Sequence, residues 1–322
     1  MRFDNILILG GTGFVGTSVC EQLVQRNGGG RGRIVVPTRR PTHGARVQSL
    51  PTVDVVQADV HDDAALQTLV AQADVVINLV AQLHGTDAAM RRTHVALPQR
   101  LAEACRKAAV TRVIHVSALG LDATPLPSRY LRSKAEGERA LRDDPSLNVT
   151  ALRPSVMFGA RDRSTNLFAS LQRIAPFMPL AGAHARLQPV WVEDVAQAIV
   201  ACLALPESIG RVYECAGPDV MTLEDLVRLS GRYAGVERPV LRLPDAVGRL
   251  QARLMECLPG DPLLSRDNLD SLRVPNVASP ALPGLSALGI KPASLAQVAP
   301  MYLADHLGVG RLDVWRASAR RH

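Results

Sequence analysis

The sequence predicts an α/β fold, a doubly wound parallel sheet followed by a smaller mixed C-terminal lobe. Two observations carry this. Short β-branched apolar runs at 6–9, 34–36, 53–56, 75–80, 113–116 and 149–152 alternate with longer helical stretches at 14–26, 62–72, 87–109 and 128–142. Continuous apolar runs suit strands buried on both faces, and helical crossovers force such strands to run parallel. Beyond residue 155 this regularity fades, and prolines and short helical pieces dominate. The first domain is therefore expected over 1–155 and the lobe over 156–322, with a strand around Val190 returning to the first sheet.

Taken in order, the first strand runs straight into Gly10-Gly11-Thr12-Gly13-Phe14-Val15-Gly16, and an amphipathic helix follows. The glycine-rich stretch at 28–33 is too short for a linker and reads as a turn, leading into a second strand that ends at Thr38-Arg39-Arg40. In the lobe, 192–205 reads as a strand end feeding a helix and 211–215 as a strand. Thr222 with Asp225 three residues on resembles a capping box, opening a helix through Tyr233. Within 240–264, Leu243, Val247, Leu250 and Leu254 share one helical face, interleaved with Arg242, Arg249 and Arg253. Such a face can cover the core of the lobe, line an apolar pocket, dock a partner or lie on an anionic membrane.

Composition narrows the function classes. The 322 residues are 47% hydrophobic and 21% charged, which excludes disorder as the main state. No apolar run approaches the ~18 residues of a membrane-spanning helix. The opening MRFDNILILGG lacks a secretory apolar region and cleavage site, so a cytoplasmic chain is expected, with the inner membrane face as a peripheral location. Cys20, Cys105, Cys202, Cys215 and Cys257 are scattered, as suits reduced thiols better than a disulfide or zinc framework. The net charge is +7, yet only the C-terminal residues Arg311, Arg316, Arg320 and Arg321 look locally basic. With 3% aromatics and no reading motif, nucleic acid is not an expected partner.

The glycine turn carries the first chemical signal. Glycine lets a backbone turn tightly and approach a diphosphate, while the helix behind offers free N–H groups and its positive dipole end. Gly10 would make the turn, Gly13 the close approach and Gly16 the helix–sheet contact. The alternative is a turn that needs glycine for geometry alone. The spacing is Gly-x-x-Gly-x-x-Gly, after an apolar strand and before a helix, the context a Rossmann-type dinucleotide site requires.

Tyr130 and Lys134 carry the second. Four residues apart on a helix, they face one side. A free phenol is too weak an acid at about 10 for proton transfer near neutrality, and an adjacent ammonium favours the phenolate. Of the 37 basic residues only three are Lys, so chance seldom sets one at this spacing from a tyrosine. A surface pair without chemistry is the alternative.

Together the GGTGFVG turn, Gln57-Ala58-Asp59-Val60, Asn78-Leu79-Val80-Ala81, Val116-Ser117-Ala118, Tyr130 to Lys134, Leu152-Arg153-Pro154-Ser155-Val156 and Val192-Glu193-Asp194-Val195 resemble the extended and atypical short-chain dehydrogenase/reductases of the epimerase/dehydratase type. The combination VSALG, SRYLRSKAEGE and LRPSVMFG is most similar to bacterial relatives of the NADPH-binding accessory subunit of respiratory complex I. The resemblance implies hydride transfer between a nicotinamide and a carbonyl or alcohol carbon. Tyr130 would handle the proton, and Lys134 would lower its pKa and hold the ribose. Ser117 would steady the substrate oxygen, although the family's catalytic hydroxyl falls at the next position, which is Ala118. Asp59 would bond the adenine amino group beside Val60. Asn78, Leu79, Val80 and Ala81 would line the nicotinamide side, and Pro154 would close the cofactor site at the sixth strand's end. A second implied function, of a different class, is an accessory or assembly factor holding NADPH and tied to respiratory complex I, quinone metabolism or a membrane surface.

An acid at the end of the second strand would favour NAD(H), since it repels a 2′-phosphate. Arg39 and Arg40 stand there instead, so NADP(H) is expected over NAD(H). A solvated basic turn is the competing reading, as is Asp59 merely capping the helix that starts near Asp62. No metal is expected, because the eight histidines show no ligand spacing. His115 reads as a strand residue, Arg153 as either a strand-end or a ligand residue, and the substrate itself is not encoded in any motif of the lobe.

Overall fold

The computed structural model describes residues 3–26, 32–257, 260 and 262–304. The C-terminal arginines and most of the 28–33 turn lie outside the described residues. The chain forms two compact units: Met1–Pro154, Val192–Cys215 and Ala278–Lys291 make the first, and Ser155–Trp191, Ala216–Val277 and Pro292–His322 the second.

Along the chain, the first unit is built from β1 (Asn5–Leu9), α1 (Phe14–Arg26), β2 (Arg33–Thr38), a short α2 (Ala45–Gln48), β3 (Val53–Gln57), α3 (Asp63–Val70) and β4 (Val75–Asn78). It continues with α4 (Asp87–Arg91), a π-helical turn (Arg92–Ala96), α5 (Leu97–Lys107), β5 (Arg112–Val116), α6 (Arg129–Arg142) and β6 (Asn148–Pro154). The second unit begins with β7 (Met157–Phe158), α7 (Thr165–Ile174), β8 (Met178–Ala181), β9 (Arg186–Leu187) and β10 (Val190–Trp191). Next come α8 (Val192–Ala204) and β11 (Val212–Cys215) of the first unit. The second resumes with β12 (Met221–Thr222), α9 (Leu223–Tyr233), β13 (Val240–Leu243), α10 (Asp245–Glu256), α11 (Arg266–Ser271), α12 (Leu295–Val298) and α13 (Pro300–Leu303).

The first unit is a seven-stranded sheet in the order β11-β6-β5-β4-β1-β2-β3, and every pairing in it is parallel. The strand order reverses between β1 and β4, where open α/β sheets bind ligands outside their carboxyl ends. Leu7, Leu9, Val76 and Val113 pack with Leu66, Leu97, Leu101 and Leu141 of the flanking helices. Ser128 caps α6 through Leu131 N, and Asp62 caps α3 through Ala65 N. The second unit is mixed, with three two-stranded pairings, β7–β10 and β8–β13 parallel and β9–β12 antiparallel. Its core gathers Phe158, Met178, Leu180, Leu226, Val227, Leu295 and Val298. The Thr222–Asp225 capping box is present at α9.

Three sequence expectations change. The strand around Val190 does not join the first sheet. It pairs with β7 in the second unit, and the seventh strand of the sheet is β11, with Val212 opposite Ala151. Both segments are short and apolar, and composition alone does not separate them. The 87–109 helix is not continuous either, because Arg92–Ala96 winds as a π turn. Pro98 explains it. Proline has no N–H for the carbonyl four residues back, and its ring would press on that carbonyl, which belongs to His94.

The 240–264 segment splits into β13 and α10, and its apolar face points outward. Gly248 and Ala252 are buried, and a side chain on Gly248 would strike Ala181 of β8. Val247, Leu250 and Leu254 are 48%, 58% and 63% exposed, so this face does not cover the lobe's core. No described helix is long and apolar enough to cross a membrane.

Candidate functional site

The glycine turn leaves the sheet at its reversal point. Gly10 takes φ +83°, and a Cβ there would lie 3.2 Å from the Leu79 carbonyl carbon and from Val80 N. Leu79 N donates to Leu9 O at 2.9 Å, so the turn and Leu79–Val80 lie against each other. A Cβ on Gly13 would sit 3.2 Å from Gly10 O, and one on Gly16 would run into Gly10 and Gly11. The turn is therefore folded as tightly as glycine permits. The first-turn amides of α1 have no intrahelical acceptor and are available to an anion. This cradle fits a dinucleotide diphosphate.

Arg39 and Arg40 follow β2 and are exposed, and Arg40 N is bound by Thr38 Oγ1 at 3.3 Å. Ala58 N donates to Thr38 O at 3.0 Å, which draws the ends of β2 and β3 together. Asp59 accepts from His61 N at 3.0 Å, while Asp62 caps α3. Asp59 is thus not the helix cap. Val60 packs partly against the core.

A buried polar layer lies between α6 and the β4–β5–β6 part of the sheet. Lys134 is fully buried and its Nζ donates to Val116 O at 2.8 Å. Burial brings Lys134 down to about 8, with Glu138 one turn on pulling the other way. Glu138 accepts from Arg153 Nε at 3.0 Å and Nη2 at 2.8 Å, and Arg153 also reaches Asp122 at 2.8 Å. Burial raises the Glu138 carboxyl, but the Arg153 guanidinium outweighs it and the net shift is downward. Arg153 is thereby committed to carboxylates of its own chain.

Two histidines complete the layer, and their partners fix the tautomers. Asn78 Oδ1 accepts from Val80 N at 3.2 Å, so its Nδ2 donates to His115 Nδ1, also at 3.2 Å. The His115 proton then sits on Nε2, which is buried and finds no partner among the described residues. His94, in the π turn, accepts from Gln82 N at 3.0 Å through Nε2. Its Nδ1 therefore donates to Ser133 Oγ at 2.9 Å, and Ser133 donates to Tyr130 O at 2.9 Å. The His94 ring meets the Tyr130 ring edge-on, centroids 5.5 Å apart. Burial, reinforced by Lys134, brings both histidines to about 3, so both are neutral at physiological pH. Gly137 is required beside them, since a Cβ there would fall on His94 O.

Tyr130 and Lys134 share one helix, as their spacing leads one to expect. Both residues lie on α6, one turn apart. Burial raises the Tyr130 phenol to about 12, and the Lys134 Nζ is bonded to the Val116 carbonyl. Ser117 extends the β5 pairing through its N–H to Leu152 O at 2.7 Å. Alternation along the strand puts its side chain on the His115 side, where Oγ is buried and faces Glu138, whose carboxyl it helps to hold down. The structure therefore places Ser117 inside the layer rather than at an open surface. Pro154 closes β6 opposite Cys215. Among the described residues no group of His, Cys, Asp and Glu side chains could hold a metal.

Sequence reasoning missed His94 and Glu138. Glu138 could have been found, four residues past Lys134 on the same helical face. His94 gives no such signal, because it reaches Tyr130 from another element.

The family model described as NAD dependent epimerase/dehydratase family matches residues 6–216. The chain is 30% identical over 288 residues to the Arabidopsis thaliana mitochondrial NADH dehydrogenase [ubiquinone] 1 alpha subcomplex subunit 9, covering 84% of this chain and 70% of that protein. It is 31% identical over 243 residues to the ceramide reductase of Caulobacter vibrioides, covering 74% of each. In fold it is similar to the Streptomyces venezuelae dTDP-glucose 4,6-dehydratase DesIV with NAD and TYD bound, at a TM-score of 0.71, 22% identity and 98% coverage of both chains.

Proposed function

This chain belongs to the NAD dependent epimerase/dehydratase family, and on that premise we propose that it is a nicotinamide-dependent oxidoreductase, with NADP(H) preferred over NAD(H), that acts on a carbonyl or alcohol carbon. The observation that carries this is Tyr130 and Lys134, one turn apart on α6, with the phenol half-buried and the ammonium fully buried. The dinucleotide, when bound, supplies the hydride or accepts it. The amides opening α1 hold its diphosphate, Arg39 and Arg40 meet the 2′-phosphate, and Asp59 and Val60 take the adenine edge. Leu79, Val80 and Ala81 border the nicotinamide, and Pro154 closes the site at the end of β6. Lys134 exchanges Val116 O for a ribose hydroxyl. Tyr130, held by His94 and Ser133, donates its proton to the substrate oxygen during reduction. An apolar long-chain carbonyl compound is the favoured substrate class. Two facts support it: a relative is named ceramide reductase, and Val247, Leu250 and Leu254 of the second unit face outward.

A second reading is a coenzyme-holding accessory subunit of a respiratory complex, at a membrane surface or within the assembly. The raised Tyr130 phenol, the buried Ser117 hydroxyl and the relatives named as complex I subunits favour it. One experiment separates the two. The purified protein is examined by mass for retained nucleotide, then assayed with long-chain ketones, sugar nucleotides and quinones. The enzyme reading expects turnover that Tyr130→Phe lowers about 100-fold or more with coenzyme affinity kept. Retention of NADPH with no turnover on any of them favours the accessory subunit.

A further inference from the structure

The coenzyme reading leaves a cation beside the adenine-edge residue Asp59 unassigned. Arg91, Arg92 and Arg100 line a groove of about 470 Å³ along α4, the π turn and α5. Arg91 is held by both Glu136 oxygens, at 2.8 and 2.9 Å. Arg100 is held by His61 O at 2.7 Å and Asp63 at 3.0 Å. Arg92 differs. Among the described residues its ion-pair partner is Asp59, at 4.0 Å, beyond hydrogen-bonding distance, and its side chain is 61% exposed. Its guanidinium fork is uncommitted, and it hangs over the residue assigned to the adenine edge. His61 shows what surrounds this spot. Its imidazole is held below its ordinary value by burial first, then by Arg92, with Asp59 opposing and Arg100 and Arg39 adding to the effect. Arg39 from the end of β2 and Arg92 from the π turn therefore act on one ring, with Asp59 as the nearby acid. A divalent anion is the ligand that such convergence accepts.

We propose that Arg92 is a third guanidinium of the coenzyme's adenosine end, closing with Arg39 and Arg40 on the 2′-phosphate and so setting NADP(H) above NAD(H). This rests on the Arg39–Arg40 reading given above and adds a residue from a different element. The π turn imposed by Pro98 begins at Arg92, so the irregularity of the helix and the placement of this cation share one origin.

The test is calorimetric titration of the full chain with NADP⁺ and NAD⁺. Arg92→Gln should weaken NADP⁺ binding on the order of 10- to 100-fold, the loss of one or two charge-assisted hydrogen bonds, and leave NAD⁺ within about 2-fold. Arg92→Lys should fall between. Since Arg92 is exposed, its variants should keep the wild-type melting temperature within ~2 °C. The His61 imidazole, followed by NMR, should titrate at higher pH with NADP⁺ than with NAD⁺, and Arg92→Gln should shrink that difference. If Arg92→Gln leaves the NADP⁺/NAD⁺ ratio unchanged while Arg39→Gln with Arg40→Gln abolishes it, the Arg92 assignment fails alone. Equal binding of both coenzymes by the wild type overturns both assignments.

Discussion

Replacing Lys134 with methionine removes a buried ammonium while keeping an unbranched side chain one atom shorter, and it separates folding from function. Lysine ordinarily titrates at 10.5, and burial brings Lys134 to about 8 against the pull of Glu138. At 1.36 kcal/mol per unit, the charge opposes folding by about 3 kcal/mol at pH 7. The sign follows from a depressed lysine. Between about 8 and 10.5 the unfolded chain binds more protons than the native one, so wild-type stability from this group rises with pH across that window. The penalty is complete below about pH 8 and has fallen to roughly 1.4 kcal/mol by pH 9.5. Methionine forfeits the bond from Nζ to Val116 O, which costs about 1–2 kcal/mol for the carbonyl left behind. Lys134→Met should therefore be about 1–2 kcal/mol more stable than wild type at pH 7. By pH 9.5 that advantage should have shrunk by about 2 kcal/mol. Urea denaturation followed by circular dichroism at the two pH values measures both, and coenzyme affinity should drop in the same variant. A variant less stable than wild type at pH 7, with a gap that does not move by pH 9.5, would refute the reasoning.

Other perturbations test the neighbouring contacts. Glu138→Gln leaves the buried Arg153 guanidinium with Asp122 as its remaining acid and should cost on the order of 3 kcal/mol at pH 7. Because the Glu138 carboxyl is depressed, its contribution is present above the ordinary value of 4.5 and is lost as pH falls, so thermal melts of variant and wild type should converge under acid conditions. Gly137→Ala drives a methyl onto His94 O and should cost about 1–3 kcal/mol in chemical denaturation. Leu250→Ser should leave stability within about 0.5 kcal/mol, since the side chain faces outward; a loss above 2 kcal/mol would mean that it is packed.

The first six strands could be read from the sequence because a strand covered on both faces shows as an unbroken apolar run. The glycine turn was readable because three glycines at fixed spacing answer to local backbone geometry, and Tyr130 with Lys134 because helical spacing sets both on one face. What escaped depends on contacts distant in sequence. Nothing near Val212 announces that β11, rather than Val190, completes the sheet. The heptad-like spacing of Val247, Leu250 and Leu254 reveals a shared face but not its direction, which Gly248 and Ala252 decide by letting the opposite side approach β8 closely. The π turn left a trace in Pro98, whose missing N–H could have been set against His94. The upward shift of Tyr130 comes from burial, which helical spacing does not report.

The central claim is that the backbone of the glycine turn holds the diphosphate of a nicotinamide dinucleotide. Amide hydrogen exchange of the full chain, with and without saturating NADPH, addresses that backbone directly. Protection concentrated at Thr12 to Gly16, and lost in Gly13→Val, is the expected result. Unchanged exchange across this turn under NADPH, or equal protection in Gly13→Val, would contradict it.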